Sequence, residues 1–110
     1  MVGGEQNVVS GIRAVVVGGV FNEASGRSAA VLSGLSNIAS GYDASVTGGA
    51  MNNAFGMYAT VGAGRSNVAG GLGSFVGGGQ SNQANGTQSF IAGGTGNIIT
   101  GYNEVNTQGG

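Results

Sequence analysis

The sequence predicts an all-β fold, a parallel β-solenoid wound from short coils, and three observations predict it. Asparagine recurs every 15 residues, at Asn7, Asn22, Asn37, Asn52, Asn67, Asn82 and Asn97, without a slip. Two glycine columns keep the same period. Gly4, Gly19, Gly34, Gly49, Gly64, Gly79 and Gly94 stand three residues before each Asn; Gly11, Gly26, Gly41, Gly56, Gly71, Gly86 and Gly101 stand four after it. Between the columns, apolar residues alternate with a period of two, which marks short strands with one buried face.

Each unit reads as strand, turn, strand, turn. Two residues after Asn come Val9, Ala24, Ala39, Ala54, Ala69, Ala84 and Ile99. Seven after it come Ala14, Ala29, Ala44, Ala59, Ser74, Ser89 and Glu104. Nine after it come Val16, Val31, Val46, Val61, Val76 and Ile91, with Asn106 in the last unit. The glycines, among them Gly19, Gly26, Gly34 and Gly41, fall where the chain must turn tightly or approach a neighbour closely. Repeats 3–17, 18–32, 33–47, 48–62, 63–77, 78–92 and 93–107 make one repeat domain over residues 1–110, about seven coils of 15 residues. A single coil cannot bury its inner face, so coils must stack. At a strand spacing of about 4.8 Å, seven coils span on the order of 33 Å. Ala, Ser and Val inside predict a thin two-sided roll with Val16, Val31, Val46, Val61, Val76 and Ile91 as its core. The Asn column is expected inside or in the turn, its amides bonding neighbouring backbone and forming a ladder up the stack.

Composition excludes much chemistry. The 110 residues include 26 Gly and no Pro, Cys, His or Trp, and only 6% are charged. Ordinary domains hold about 7% Gly and about 25% charged residues. Collagen needs Gly at every third position with Pro, and flexible linkers lack the 40% hydrophobic content found here. Without Cys and His, disulfides, thiolate zinc sites and the usual general base are absent. Three arginines and a net charge of -1 provide no basic patch for nucleic acid. Gly62-Ala63-Gly64-Arg65 completes no phosphate-binding motif, and the four acids fall on different columns. The expectation is a protein without enzymatic activity, cofactor or metal, and no apolar run is long enough to span a membrane.

The outward columns are variable and apolar. Five residues after Asn stand Ile12, Arg27, Tyr42, Met57, Leu72, Thr87 and Tyr102; one after it stand Val8, Glu23, Ile38, Asn53, Val68, Gln83 and Ile98. Phe21, Met51 and Phe55 add to this surface. So much exposed apolar surface predicts self-association along the roll, with closed cyclic symmetry. Arg13, Arg27, Arg65, Tyr42, Tyr58 and Tyr102 are the candidate outer contacts for a ligand. The last unit runs into Gln108-Gly109-Gly110, the opening of an eighth, which predicts a segment of a longer protein.

The run Gly78-Gly79-Gln80-Ser81-Asn82-Gln83-Ala84-Asn85-Gly86-Thr87-Gln88-Ser89-Phe90-Ile91-Ala92 resembles the head repeats of trimeric autotransporter adhesins of the YadA-like type. The resemblance covers nearly the whole chain. It implies a left-handed parallel β-roll, three chains side by side as a homotrimer, and display on a bacterial outer surface. It also implies binding to host extracellular matrix proteins or cell-surface receptors, with no membrane contact by this segment. Similar repeats occur in phage tail-fibre proteins, so a structural spacer is an alternative. Grass antifreeze proteins also resemble this chain as β-rolls, which makes ice binding a further alternative. However, Thr47, Thr60, Thr87, Thr95, Thr100 and Thr107 form no ladder in the sequence.

Overall fold

The computed structural model describes residues 4–101 and the backbone of Val105–Asn106. Two-residue strands alternate between two parallel sheets. The first sheet holds Val8–Val9, Glu23–Ala24, Ile38–Ala39, Asn53–Ala54, Val68–Ala69, Gln83–Ala84 and Ile98–Ile99. The second holds Val15–Val16, Ala30–Val31, Ser45–Val46, Thr60–Val61, Phe75–Val76, Phe90–Ile91 and Val105–Asn106. Each strand pairs with its equivalent one coil away, Val31 with Val46 and Ala39 with Ala54, so the register is the sequence repeat itself. The result is a parallel β-solenoid of about six turns. Its long axis of 35 Å and thickness of 12 Å match the stacked, narrow roll that the repeat predicts.

Each coil points four side chains inward. Asn37, Ala39, Ala44 and Val46 are all buried, and the coils above and below repeat the set. Alanine keeps the sheets close, and one valine per coil fills what remains. Ser74 and Ser89 replace Ala without leaving a dry hydroxyl unpaired. Their Oγ atoms donate to the carbonyls of Gly71 and Gly86 in their own turns, at 2.8 and 2.7 Å.

The two glycine columns serve different physical needs. Gly34 has φ +102°, and a Cβ there would also overlap the carbonyl oxygen of Gly49 in the next coil. Its column therefore needs glycine for conformation and for space. Gly41 has no positive φ. It is buried in the turn before the second strand, and a Cβ would collide with the carbonyl of Gly56. That column needs glycine for close approach alone.

The left-handed conformation in this second turn belongs instead to the residue six after Asn: Arg13, Ser28, Asp43, Tyr58 and Gln88 have φ of 55° to 61°. At the other edge it falls on the residue just before Asn, including Phe21, Ser36 and Met51 at 57° to 58°. No residue-type signal marks these places, since most of the side chains there are not glycine. From Phe21 onward, what sustains them is a reversed hydrogen bond. Strand N–H groups donate forward to the next coil, as Ala30 does to Ala44 at 3.0 Å. The left-handed residues donate backward, Asp43 to the carbonyl of Arg27 at 2.8 Å and Met51 to that of Leu35 at 2.9 Å. This bond offsets the roughly 1–2 kcal/mol cost of the left-handed region. A row of single parallel bridges, Glu5 to Val20 to Leu35 and onward to Thr95, runs along the same edge as Met51; the two-strand reading did not include it.

Val61→Ala removes two buried methyl groups that neighbouring coils cannot replace, and should cost about 2–3 kcal/mol in urea denaturation followed by circular dichroism. Gly41→Ala should destabilise at least as much, because the added methyl separates two coils at a backbone contact.

Candidate functional site

The Asn column builds the frame on which every surface group sits. Asn22 Oδ1 accepts the Asn37 N–H at 2.9 Å. Its Nδ2 donates to the Gly18 carbonyl of its own coil at 3.1 Å and to the Gly34 carbonyl of the next at 2.8 Å. The arrangement repeats at Asn37, Asn52, Asn67 and Asn82. Both amide protons and the oxygen are used, so a fully buried polar side chain is fully satisfied. Asp would lack both donors and bury a charge. Asn7 likewise accepts the Asn22 N–H, at 2.8 Å, and donates to Gly19. At Asn97, the amide donates to Asn82 Oδ1 and to the Gly93 carbonyl, both at 3.1 Å. The column is a ladder that runs through neighbouring backbone groups, with a direct amide-to-amide bond at Asn97.

From this frame the coil projects outward at two edges and two faces. One edge carries the residues five and six after Asn. Ile12, Arg13, Arg27, Tyr42, Met57, Tyr58 and Leu72 lie exposed there. Backbone bonds lock adjacent members together, Tyr58 N–H to the Tyr42 carbonyl at 2.7 Å and Ser28 N–H to that of Ile12 at 2.7 Å. Four candidate contact residues, Arg13, Arg27, Tyr42 and Tyr58, therefore share one edge over four successive coils. They form a strip of two aromatic hydroxyls and two guanidinium groups beside the apolar Ile12, Met57 and Leu72. Arg65 is exposed at the opposite edge, in the row of single bridges between Ala50 and Gln80. It cannot act with the other four on one small ligand. Tyr102 lies outside the described residues.

The other features are spread over the remaining surface. Phe21, Leu35 and Met51 are exposed at the Arg65 edge. Phe75 and Phe90 stack on the outer face of the second sheet, centroids 5.0 Å apart and planes within 8°. They are brought together because the same place in consecutive coils is one strand spacing away. Ser45 and Thr60 hydroxyls meet on that face at 3.3 Å. The described threonines occupy different columns and make no row.

Among the described residues the surface has no pocket, and no group of three His, Cys, Asp or Glu gathers to hold a metal ion. Among the described residues no helix is long and apolar enough to cross a membrane. What the arrangement offers is repeated, shallow, exposed contacts on a rigid rod. Comparisons with protein-family models, with curated proteins and with solved structures each return no match.

Asn52→Ala should orphan the Asn67 N–H and remove a donor from the carbonyls of Gly48 and Gly64. At about 1–3 kcal/mol per buried group left unpaired, the loss should reach about 3–5 kcal/mol by chemical denaturation. Asn53→Ala, one residue on and on the outer face, removes an oxygen that has no hydrogen-bond partner among the described residues, and should leave the unfolding midpoint of the isolated chain unchanged or slightly raised.

Proposed function

We propose that this chain is a head segment of a trimeric bacterial surface adhesin: a seven-coil, left-handed roll without enzymatic activity, packed side by side with two copies of itself. In this reading it stands on the bacterial outer surface and attaches to host matrix proteins or cell-surface receptors. The observation that supports it best is the exposed edge, where Ile12 is 70% accessible, Tyr42 54%, Tyr58 58% and Leu72 47%. A stripe rich in apolar side chains, interrupted by Arg27 in the second coil, along one edge of a rigid rod is a surface suited to protein contact. Attachment would then draw strength from many weak contacts multiplied over three chains. The 15-residue pattern and its resemblance to adhesin heads supply the biological setting.

A spacer role has its own support in the absence of a pocket among the described residues. A uniform stack of coils can hold another domain away from a surface without binding anything itself. Ice binding finds little support, because the outward rows mix Arg, Glu, Phe, Met and Tyr and present no regular threonine array.

Light scattering on the purified chain should give three times its 10.5 kDa mass or a multiple of that, and a monomer at all concentrations would sink the trimer. Tyr42→Ser combined with Leu72→Ser should weaken that assembly at least tenfold. Solid-phase binding of the assembled protein to a panel of matrix proteins separates adhesin from spacer; no binding across the panel favours the spacer.

A further inference from the structure

The outer face of the first sheet carries an ordering that neither the fold nor the proposed trimer uses. One residue after each Asn, the successive coils present Val8, Glu23, Ile38, Asn53, Val68, Gln83 and Ile98. Apolar and polar side chains alternate strictly, and the row reads alike from both ends about Asn53. Val8 mirrors Ile98, Glu23 mirrors Gln83, and Ile38 mirrors Val68. We propose that this face pairs with the same face of a second copy, solenoid axes antiparallel, about a two-fold axis running along the strand Asn53–Ala54.

The symmetry follows from geometry. A dyad along the central strand maps each row onto itself and reverses the order of coils. Like then faces like: valine and isoleucine meet their apolar mirrors, and the polar places meet polar places. An interface of this kind is isologous. The parallel alternative would set the coil of Glu23 against the coil of another Glu23, which costs electrostatic repulsion. In the antiparallel pair, Glu23 meets Gln83. The Gln83 Oε1 already accepts from Asn85 Nδ2 at 3.3 Å, which leaves the Gln83 amide protons to donate to the carboxylate of the second copy.

Two observations at the centre of the face point to the same occupant. Asn53 Oδ1 is buried and has no hydrogen-bond partner among the described residues. A buried unpaired acceptor is costly in one molecule. On the dyad, rotation of the amide about its broad terminal torsion lets two Asn53 side chains exchange a reciprocal pair of N–H to O=C bonds. Phe55, two residues further along the same strand direction, would clash with its own image if it stood upright. It does not: its ring leans across Gly70, so close that a Cβ on Gly70 would lie 2.7 Å from the ring. The ring thereby moves off the dyad toward the next coil, whose mirror in the second copy carries the small Ser40. Glycine at position 70 and serine at position 40 are the two places that must be small for both rings to fit.

The size is adequate. The roll measures 35 by 22 Å across its broad face, which projects to roughly 770 Å², against about 800 Å² per partner in a standard stable interface. This surface is separate from the edge proposed for the trimer, and the inference does not rest on the trimer.

The test uses the intact chain, which contains no cysteine, so single spin labels can be placed by Glu5→Cys in the first coil or Ala50→Cys in the fourth. Antiparallel pairing predicts two Ala50→Cys labels with backbones about 10 Å apart, and two Glu5→Cys labels roughly 30 Å apart, six coil steps of ~4.8 Å from each other along the axis. Equal distances at the two positions would overturn the proposal. Ile38→Glu with Phe55→Ser should weaken the pair at least tenfold in sedimentation equilibrium. The folding of this variant is safeguarded because neighbouring coils already carry Glu23 and Ser40 at these places. Phe90→Ser on the opposite face should leave pairing unchanged. Assemblies with an even number of chains are expected; a strict monomer or strict trimer up to millimolar concentration would also overturn it.

Discussion

Each coil of this solenoid is seated on the next by the amide of one buried asparagine. Asn37 accepts the backbone N–H of Asn52 and donates to carbonyls in its own coil and the next, at 2.9 to 3.1 Å. The side chain thus completes the backbone ladder at the one inward place where the chain is turning and cannot complete it alone. Much else depends on this. The coil length must stay at 15 residues, because an insertion would carry the amide away from all three partners. The residue three before Asn must be glycine, since a Cβ there would press on the amide nitrogen as well as on the next coil's backbone.

With the corners fixed in this way, the interior can be very small. Alanine and valine suffice because no space is left between two sheets whose four inward positions repeat identically from coil to coil. Where alanine gives way to Ser74 or Ser89, the hydroxyl bonds to the glycine carbonyl of its own turn. The outside is correspondingly free. From the second coil on, left-handed residues at both edges are held by backward hydrogen bonds from their backbone, so Asp, Tyr, Phe, Met and Gln are all accommodated there. A scaffold defined by its inward columns can vary its surface without disturbing its fold, which is the general condition for a repeat protein that presents contacts.

That freedom organises the candidate surfaces. A residue's place within the 15-residue unit decides which edge or face it occupies, and its coil decides its height along the rod. Arg13, Arg27, Tyr42 and Tyr58 fall on one edge and Arg65 on the other, although nothing in their residue types distinguishes them. The apolar edge and the alternating face are different surfaces, so association at one leaves the other available. Flat, repeated surfaces of this kind suit large partners and self-association better than small molecules, which need concavity.

The sequence by itself determined the period, the inward columns, the parallel register and the glycine positions, because each is imposed on every coil and is therefore visible as a repeat. The places of Val31, Val46 and Val61 in the core and of Asn37 in the ladder follow from spacing alone. Tertiary structure decided what depends on relations between coils. The left-handed residues at Phe21, Asp43 and Tyr58 carry no compositional mark, because the conformation is sustained by a hydrogen bond to the preceding coil. Gly26 and Gly41 look like turn formers in the sequence, but the stack requires them for the closeness of the neighbouring backbone. The unpaired oxygen of Asn53, and the ring of Phe55 lying across Gly70, exist only once coils are stacked. Phe55 and Gly70 meet because they stand in neighbouring coils, 15 residues apart in the chain.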